Sequence, residues 1–153
     1  MSNQLLQLLD SDAVCLQLNA RDSHDVIENL GIRLFIDGYV KDTFVDAAWA
    51  REQELPTGLP LGGEINAAIP HTDVVHVLKP GVAMATLKRP VVFKNMIQPD
   101  EDVKVSLVFM LSLEKPKSQI EMLQEIAKVL QNPVTVSRLM AANSFEDVQA
   151  ALA

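Results

Sequence analysis

VKVSLVFMLS, residues 103–112, is the stretch on which the fold turns. Val103, Val105, Leu107, Phe109 and Leu111 alternate with their neighbours, the period of a strand with one buried face. Val108 and Met110 make the other face apolar as well, so the strand is expected at the centre of a sheet, covered on both sides. Such a strand needs helices above and below it, and the chain supplies them in both directions. Downstream, beyond Pro116, residues Ile120, Leu123, Ala127 and Leu130 recur at spacings of 3, 4 and 3, predicting an amphipathic helix. Two short helices follow near 133–141 and 144–152, the second capped by Ser144.

Upstream of the central strand, residues 81–87 and 91–93 read as two strands interrupted by Lys88-Arg89-Pro90, with a polar loop from Lys94 to Asp102. INAAI, residues 65–69, reads as a buried strand that breaks at Pro70. A helix is predicted from Asp42 to about Leu55, on the stripe Phe44, Ala48, Arg51, Leu55. An alternative stripe, Val45, Ala48, Trp49, Glu52, leaves Arg51 solvated, and periodicity does not choose between the two. Pro56-Thr57-Gly58 ends that helix, and Pro60, Gly62 and Gly63 mark a loop. Asp22-Ser23 caps an earlier helix carrying Ile27, Leu30 and Leu34, with Gly38 as its stop, and 13–18 forms a first strand. Strands and helices interleave without a repeat or linker. The expected class is α/β: a single domain over 1–153 with a central mixed β-sheet flanked by helices on both faces.

Hydrophobic residues make up 48 % of the 153 and charged residues 22 %, the balance of a folded chain. Thirteen basic against 20 acidic residues give a net charge of −7, which repels phosphate backbones and argues against nucleic acid as a partner. A basic protein surface suits it better. One cysteine, Cys15, cannot form an internal disulfide. Met1 to Leu9 lack a basic leader, and no apolar run reaches the roughly 18 residues of a membrane span, so a cytoplasmic protein is expected.

Chemistry must come from few residues. No G-x-S-x-G elbow and no phosphate-binding G-x-x-x-x-G-K-[ST] loop is present, so neither a serine hydrolase nor ATP as donor is expected. Of three histidines, His24 opens a predicted helix as a surface residue. His71 follows the buried strand and a proline, in AAIPHTD, at a strand end where ligands of α/β sheets collect. A neutral imidazole there offers a nucleophilic ring nitrogen, although a buried structural histidine in a turn fits the residues equally. His76 is five residues on: the pair would lie about 140° apart on a helix and on opposite faces of a strand. A shared metal is therefore not expected, and His76 is left as a support for His71 or a neighbour in the next turn. Arg51 is either a boundary residue with a buried stem or a bidentate phosphate donor.

These residues resemble the fructose/mannitol-type EIIA domains of the bacterial phosphotransferase system. Arg51-Glu52, Pro56-Thr57-Gly58 and Ala67-Ala68-Ile69-Pro70-His71 carry the resemblance, and the order of elements follows the family along nearly the whole chain. The flanks LPTGL and IPHTDVVH are most similar to galactitol-type EIIA proteins. The resemblance implies a phosphohistidine carrier: His71 accepts phosphate from the carrier protein HPr and passes it to a cysteine of the EIIB component, and the sugar is phosphorylated during transport through EIIC. It implies no metal or other cofactor, since Arg51, the Thr57 hydroxyl and backbone amides after His71 are available to hold the phosphoryl charge. Mannitol-type members carry a second histidine at the start of the helix after the central strand. Here that place falls at about Gln119, which donates a hydrogen bond but carries neither proton nor charge. Two other readings compete: a regulatory, nitrogen-type EIIA that acts by phosphorylation-dependent protein binding, and a noncatalytic α/β binding module with a structural His71.

Overall fold

The computed structural model describes residues 4–153. In chain order its elements are helix α1 (Gln4–Leu8), strand β1 (Leu9–Leu18), helices α2 (Ser23–Ile36) and α3 (Phe44–Glu54), and strands β2 (Gly58–Leu59) and β3 (Ala67–Ala68). A single 3₁₀ turn, Val74–His76, precedes strands β4 (Gly81–Lys94) and β5 (Asp102–Ser112) and helices α4 (Pro116–Leu130), α5 (Pro133–Ala141) and α6 (Phe145–Leu152). The five strands form one sheet in the order β1-β4-β5-β3-β2, with β5 in the middle as its two apolar faces require. The β1–β4 and β3–β5 pairs are parallel, β4–β5 and β2–β3 antiparallel, so the sheet is mixed. Among the described residues no helix is long and apolar enough to cross a membrane.

Each face carries its own core. On one, α2 and α3 pack Val26, Ile27, Leu30, Leu34, Phe44 and Ala48 over the sheet; on the other, α4, α5 and α6 contribute Met122, Ile126, Leu139 and Val148. Burying each of the larger side chains contributes roughly 1.5–3 kcal/mol. The expected caps are in place: the Asp22 carboxylate accepts from the Asp25 N–H, Ser144 Oγ accepts from the Asp147 N–H, and Gly38 takes a φ of 81° just past α2.

Several expectations need correcting. The alternation along β5 does not keep one face. Val103 and Val105 join Val108 and Met110 beneath α2 and α3, whereas Leu107, Phe109 and Leu111 lie on the opposite side. The cause is a bulge: the N–H groups of Ser106 and Leu107 both donate to the Asn66 carbonyl, at 3.0 and 3.3 Å, and the extra residue flips every side chain beyond it. Nor does Lys88-Arg89-Pro90 divide a strand in two. β4 runs through it, and the register slips between the pairs Thr86↔Leu107 and Val91↔Val105, an irregularity of the kind that accommodates a proline within a sheet. INAAI contributes only Ala67–Ala68 to the ladder, because Asn66 is spent on the bulge. β1 begins earlier than position 13, at Leu9, after the short α1.

Two helical stripes are also rotated. The buried positions of α4 are Met122, Ile126 and Leu130, and Ile120 is 57 % exposed. Those of α3 are Phe44, Ala48 and Glu52, while Leu55, past the helix end, is 56 % exposed. Replacement of Ile126 by alanine is expected to cost ~2–5 kcal/mol as a buried large-to-small change. The same replacement of Ile120 is expected to stay within about 0.5 kcal/mol. Urea denaturation of both variants measures the difference, and equal costs would contradict the observed stripe.

Candidate functional site around His71

The site is built at one end of β3 from the segment that leaves α3. At the end of that helix the chain turns through Leu55 and the buried Pro56, and Gly58 pairs with Ala68 across β2 and β3. Gly58 is required there by space. A Cβ on it would lie 2.5 Å from the Lys94 carbonyl oxygen, a backbone atom that cannot give way. The antiparallel register then sets Thr57 opposite Ile69. The Ile69 N–H, the first beyond the ladder, donates to Thr57 Oγ1 at 3.2 Å.

His71 follows at two residues' distance. Pro70 has no N–H to satisfy, and its carbonyl accepts from the Leu111 N–H at 3.1 Å, which ties the turn to β5. The His71 imidazole is 7 % exposed, and its Nδ1 lies 2.8 Å from the Ile69 carbonyl oxygen. A carbonyl only accepts, so Nδ1 carries the proton and Nε2 keeps its lone pair. Burial pushes the pKa of His71 below 6.5; the Ile69 bond opposes that shift, the Arg51 charge adds to it, and Asp73 opposes it. The imidazole is thus held neutral, as a nucleophile requires.

Arg51, on the same helical turn as Glu52, keeps 32 % of its side chain exposed, with Nη1 3.5 Å from Asp73 Oδ1. At that length, against an aspartate side chain 79 % exposed, the contact holds the guanidinium only weakly. Among the described residues Arg51 Nε is buried without a hydrogen-bond partner. Gln119 sits in the first turn of α4, and its Oε1 is likewise buried and unpartnered among the described residues. His76 turns elsewhere: its Nδ1 is 2.8 Å from Thr43 Oγ1, at the start of α3. His24 stacks on Trp49 at 4.5 Å between ring centroids and approaches Glu28.

Thr57 is linked to the imidazole through Ile69, whose N–H it accepts and whose carbonyl meets the ring. It is 2 % exposed, and its hydroxyl donates to the Glu52 carboxylate, 2.8 Å from Oε1 and 3.1 Å from Oε2. The Thr57 N–H reaches Glu52 Oε2 at 2.7 Å. Its hydroxyl proton is therefore engaged with Glu52, and the support it gives runs through Ile69. Glu52 is the residue that sequence reasoning left without a role. Its signal was a carboxylate on the alternative helix stripe, adjacent to Arg51. It is 6 % exposed, and its pKa is raised from 4.5 to about 7 because burial outweighs the Thr57 hydrogen bonds and the Arg51 charge.

Three carboxylates able to share a cation, Asp10, Asp12 and Asp37, have oxygens within 4.8 Å of one another near the start of β1, and no histidine joins them. A groove of about 690 Å³ between the Leu59–Ile65 segment and α4 and α5 is apolar, lined by Leu61, Ile65, Leu130, Val136 and Met140 among others. Neither His71 nor Arg51 lines it. The arrangement around His71 is a neutral, largely buried imidazole with the Arg51 guanidinium near enough for its charge to act on the ring.

Residues 7–153 match the family described as "Phosphoenolpyruvate-dependent sugar phosphotransferase system, EIIA 2". The chain is 35 % identical over 120 residues to the galactitol-specific EIIA component of Escherichia coli (strain K12), an alignment covering 78 % of each. It is similar in structure to the mannitol IIA protein of Escherichia coli, with a TM-score of 0.78, 26 % identity, and coverage of 94 % of this chain and 98 % of that one. The complex of enzyme IIAMTL with phosphorylated enzyme IIBMTL from the same organism gives a TM-score of 0.79 at 24 % identity, over 95 % of this chain and 98 % of that one, a likeness of fold.

The raised pKa of Glu52 has a consequence for stability. Between pH 4.5 and about 7 the folded form holds a proton that the unfolded chain releases. This contribution is fully present below about pH 4.5 and lost as pH rises to about 7, on the order of 3 kcal/mol. Glu52→Gln removes the titration, so its stability relative to the parent protein should climb across that interval. Chemical denaturation at pH 4.5 and pH 7.5 reads the change, and a pH-independent difference would show that Glu52 titrates normally.

Proposed function

Because the chain belongs to the EIIA type 2 family of the phosphoenolpyruvate-dependent sugar phosphotransferase system, we propose that it is the phosphoryl carrier of a galactitol-type system, with His71 as the residue that carries the phosphoryl group. The observation that supports this most is the bond from His71 Nδ1–H to the Ile69 carbonyl, which leaves Nε2 as the attacking atom. In the proposed first step the Nε2 lone pair attacks the phosphorus of phosphohistidine on HPr. A new P–N bond forms as the donor's P–N bond breaks, and the donor imidazole, already protonated on its other ring nitrogen, leaves neutral with the bonding electron pair while His71 keeps its Nδ1 proton. In the second step a cysteine thiolate of the EIIB component attacks the same phosphorus, and Nε2 leaves with its lone pair restored. EIIC then takes part only indirectly, as the permease that EIIB serves.

Little covalent chemistry falls to the protein in such a transfer, and positioning with charge stabilisation does most of the catalysis. Arg51 is the proposed cation for the equatorial phosphoryl oxygens. Its loose contact with Asp73 and its unpartnered Nε leave donors free to turn toward them. Gln119 is proposed as a neutral donor, and Thr57 as a support acting through Ile69. His76, whose Nδ1 pairs with Thr43 Oγ1, is proposed not to carry the phosphoryl group. The galactitol assignment draws on the 35 % identical relative, and EIIB as acceptor fits the fold found in complex with phosphorylated IIB.

Incubation with enzyme I, HPr and labelled phosphoenolpyruvate tests the reading. His71→Ala is expected to abolish labelling and His76→Ala to retain it; robust labelling of the His71 variant would refute the assignment. Arg51→Ala should slow transfer by roughly 10²-fold, the scale for losing one donor to developing charge. Gln119→Ala, which removes a neutral and weaker donor, should slow it by roughly tenfold. Stopped-flow or quench-flow transfer rates decide the order.

A further inference from the structure

We infer that Glu52 is a positioning residue for the His71 imidazole, acting through Thr57 and the backbone of Ile69 to hold its Nδ1–H tautomer. The inference rests on the reading of His71 as a phosphoryl carrier for its purpose, but its geometry stands apart from that reading. Glu52 sits on the inner stripe of α3, in register with Phe44 and Ala48, where an apolar residue would pack at no polar cost. A carboxylate there departs from the pattern of its helix, and such departures collect where function demands them.

The carboxylate uses both oxygens on one residue. The Thr57 N–H is 2.7 Å from Oε2, and the Thr57 hydroxyl is 2.8 Å from Oε1. Because Thr57 has a single hydroxyl proton and gives it to Glu52, the lone pairs of Oγ1 are turned toward Ile69, whose N–H lies 3.2 Å away. Ile69 is the residue whose carbonyl holds His71 Nδ1 at 2.8 Å. Every polar group from Glu52 to the imidazole is thus oriented by the one before it, and each link is buried, where hydrogen bonds hold geometry most firmly. Arg51 does not compete for the carboxylate. Its ion-pair contact is with Asp73, so Glu52 fixes the imidazole without drawing the guanidinium away from it. A free imidazole in water prefers the other tautomer, with the proton on Nε2, and that form has no lone pair to offer at the rim.

Nitrogen-15 NMR of the imidazole, which separates the two tautomers, tests this on the intact protein, alongside the rate of labelling from phospho-HPr. The parent should show His71 as a single Nδ1–H tautomer. Thr57→Val keeps the shape and the Thr57 N–H but removes the middle link; it should give a mixture of tautomers and a labelling rate about tenfold lower. Thr57→Ser restores the hydroxyl and should restore both readouts. Glu52→Gln retains an acceptor and should stay near the parent, whereas Glu52→Ala, checked for folding by circular dichroism, should resemble Thr57→Val. A folded Thr57→Val protein with a pure Nδ1–H tautomer and parental labelling would overturn the inference. If the parent itself were not labelled, the carrier reading would fail while the tautomer measurement still decided the role of Glu52.

Discussion

The bond from the His71 ring to the Ile69 carbonyl is the constraint around which the rest of this end of the molecule is organised. It joins residues only two apart, so it asks for a tight local turn that the backbone would not keep unaided. Three things keep it. The β3–β5 ladder delivers Ile69 to the sheet end, Thr57 holds its N–H, and the Leu111 N–H holds the next carbonyl, that of Pro70. The proline narrows the backbone between them at no cost in unmet donors. Strand pairing, helix exit and turn are therefore parts of one device whose output is the direction of a lone pair.

Electrostatics around the ring work against the intrinsic preferences of two groups in opposite senses. Burial holds His71 neutral below its ordinary range and lifts Glu52 toward neutrality. Between them Arg51 keeps a charge at a partly solvated position, where it can be offered to an anion without the cost of full burial. A neutral ring beside a partly solvated cation is an arrangement in which an anion would be stabilised rather than repelled.

Much of this was legible in the residues. The doubly apolar run at 103–112 placed the central strand, the caps Asp22 and Ser144 placed two helices, and AAIPH singled out His71. What escaped has physical reasons. The flip of faces along β5 depends on Asn66, a residue distant in sequence that offers one carbonyl to two N–H groups; alternation alone carries no trace of a partner that breaks it. β4 crosses Pro90 because a slipped register meets the proline, and register belongs to the pair of strands rather than to either one. Glu52 was visible only as an ambiguity between two stripes of α3, since hydropathy discards a carboxylate from the core and cannot anticipate that Thr57 returns to satisfy it. The contacts of His76 with Thr43 lay equally beyond spacing arguments.

The bulge at Ser106 and Leu107 also partitions β5 in a way that bears on how the family can vary. On its far side the strand forms a hairpin with the second half of β4, closed by the segment Asn95–Glu101; on its near side it forms the floor beneath Pro70 and His71. An insertion or deletion in that hairpin must change the register of the pairs from Val91↔Val105 outward. It meets the bulge before it reaches Leu107, and a bulge absorbs a change in residue count by local bending. Only changes that leave Lys94 and Met96 in place spare the histidine, because the Met96 N–H donates to the Gly58 carbonyl at 2.8 Å and the Lys94 carbonyl crowds Gly58, the neighbour of Thr57.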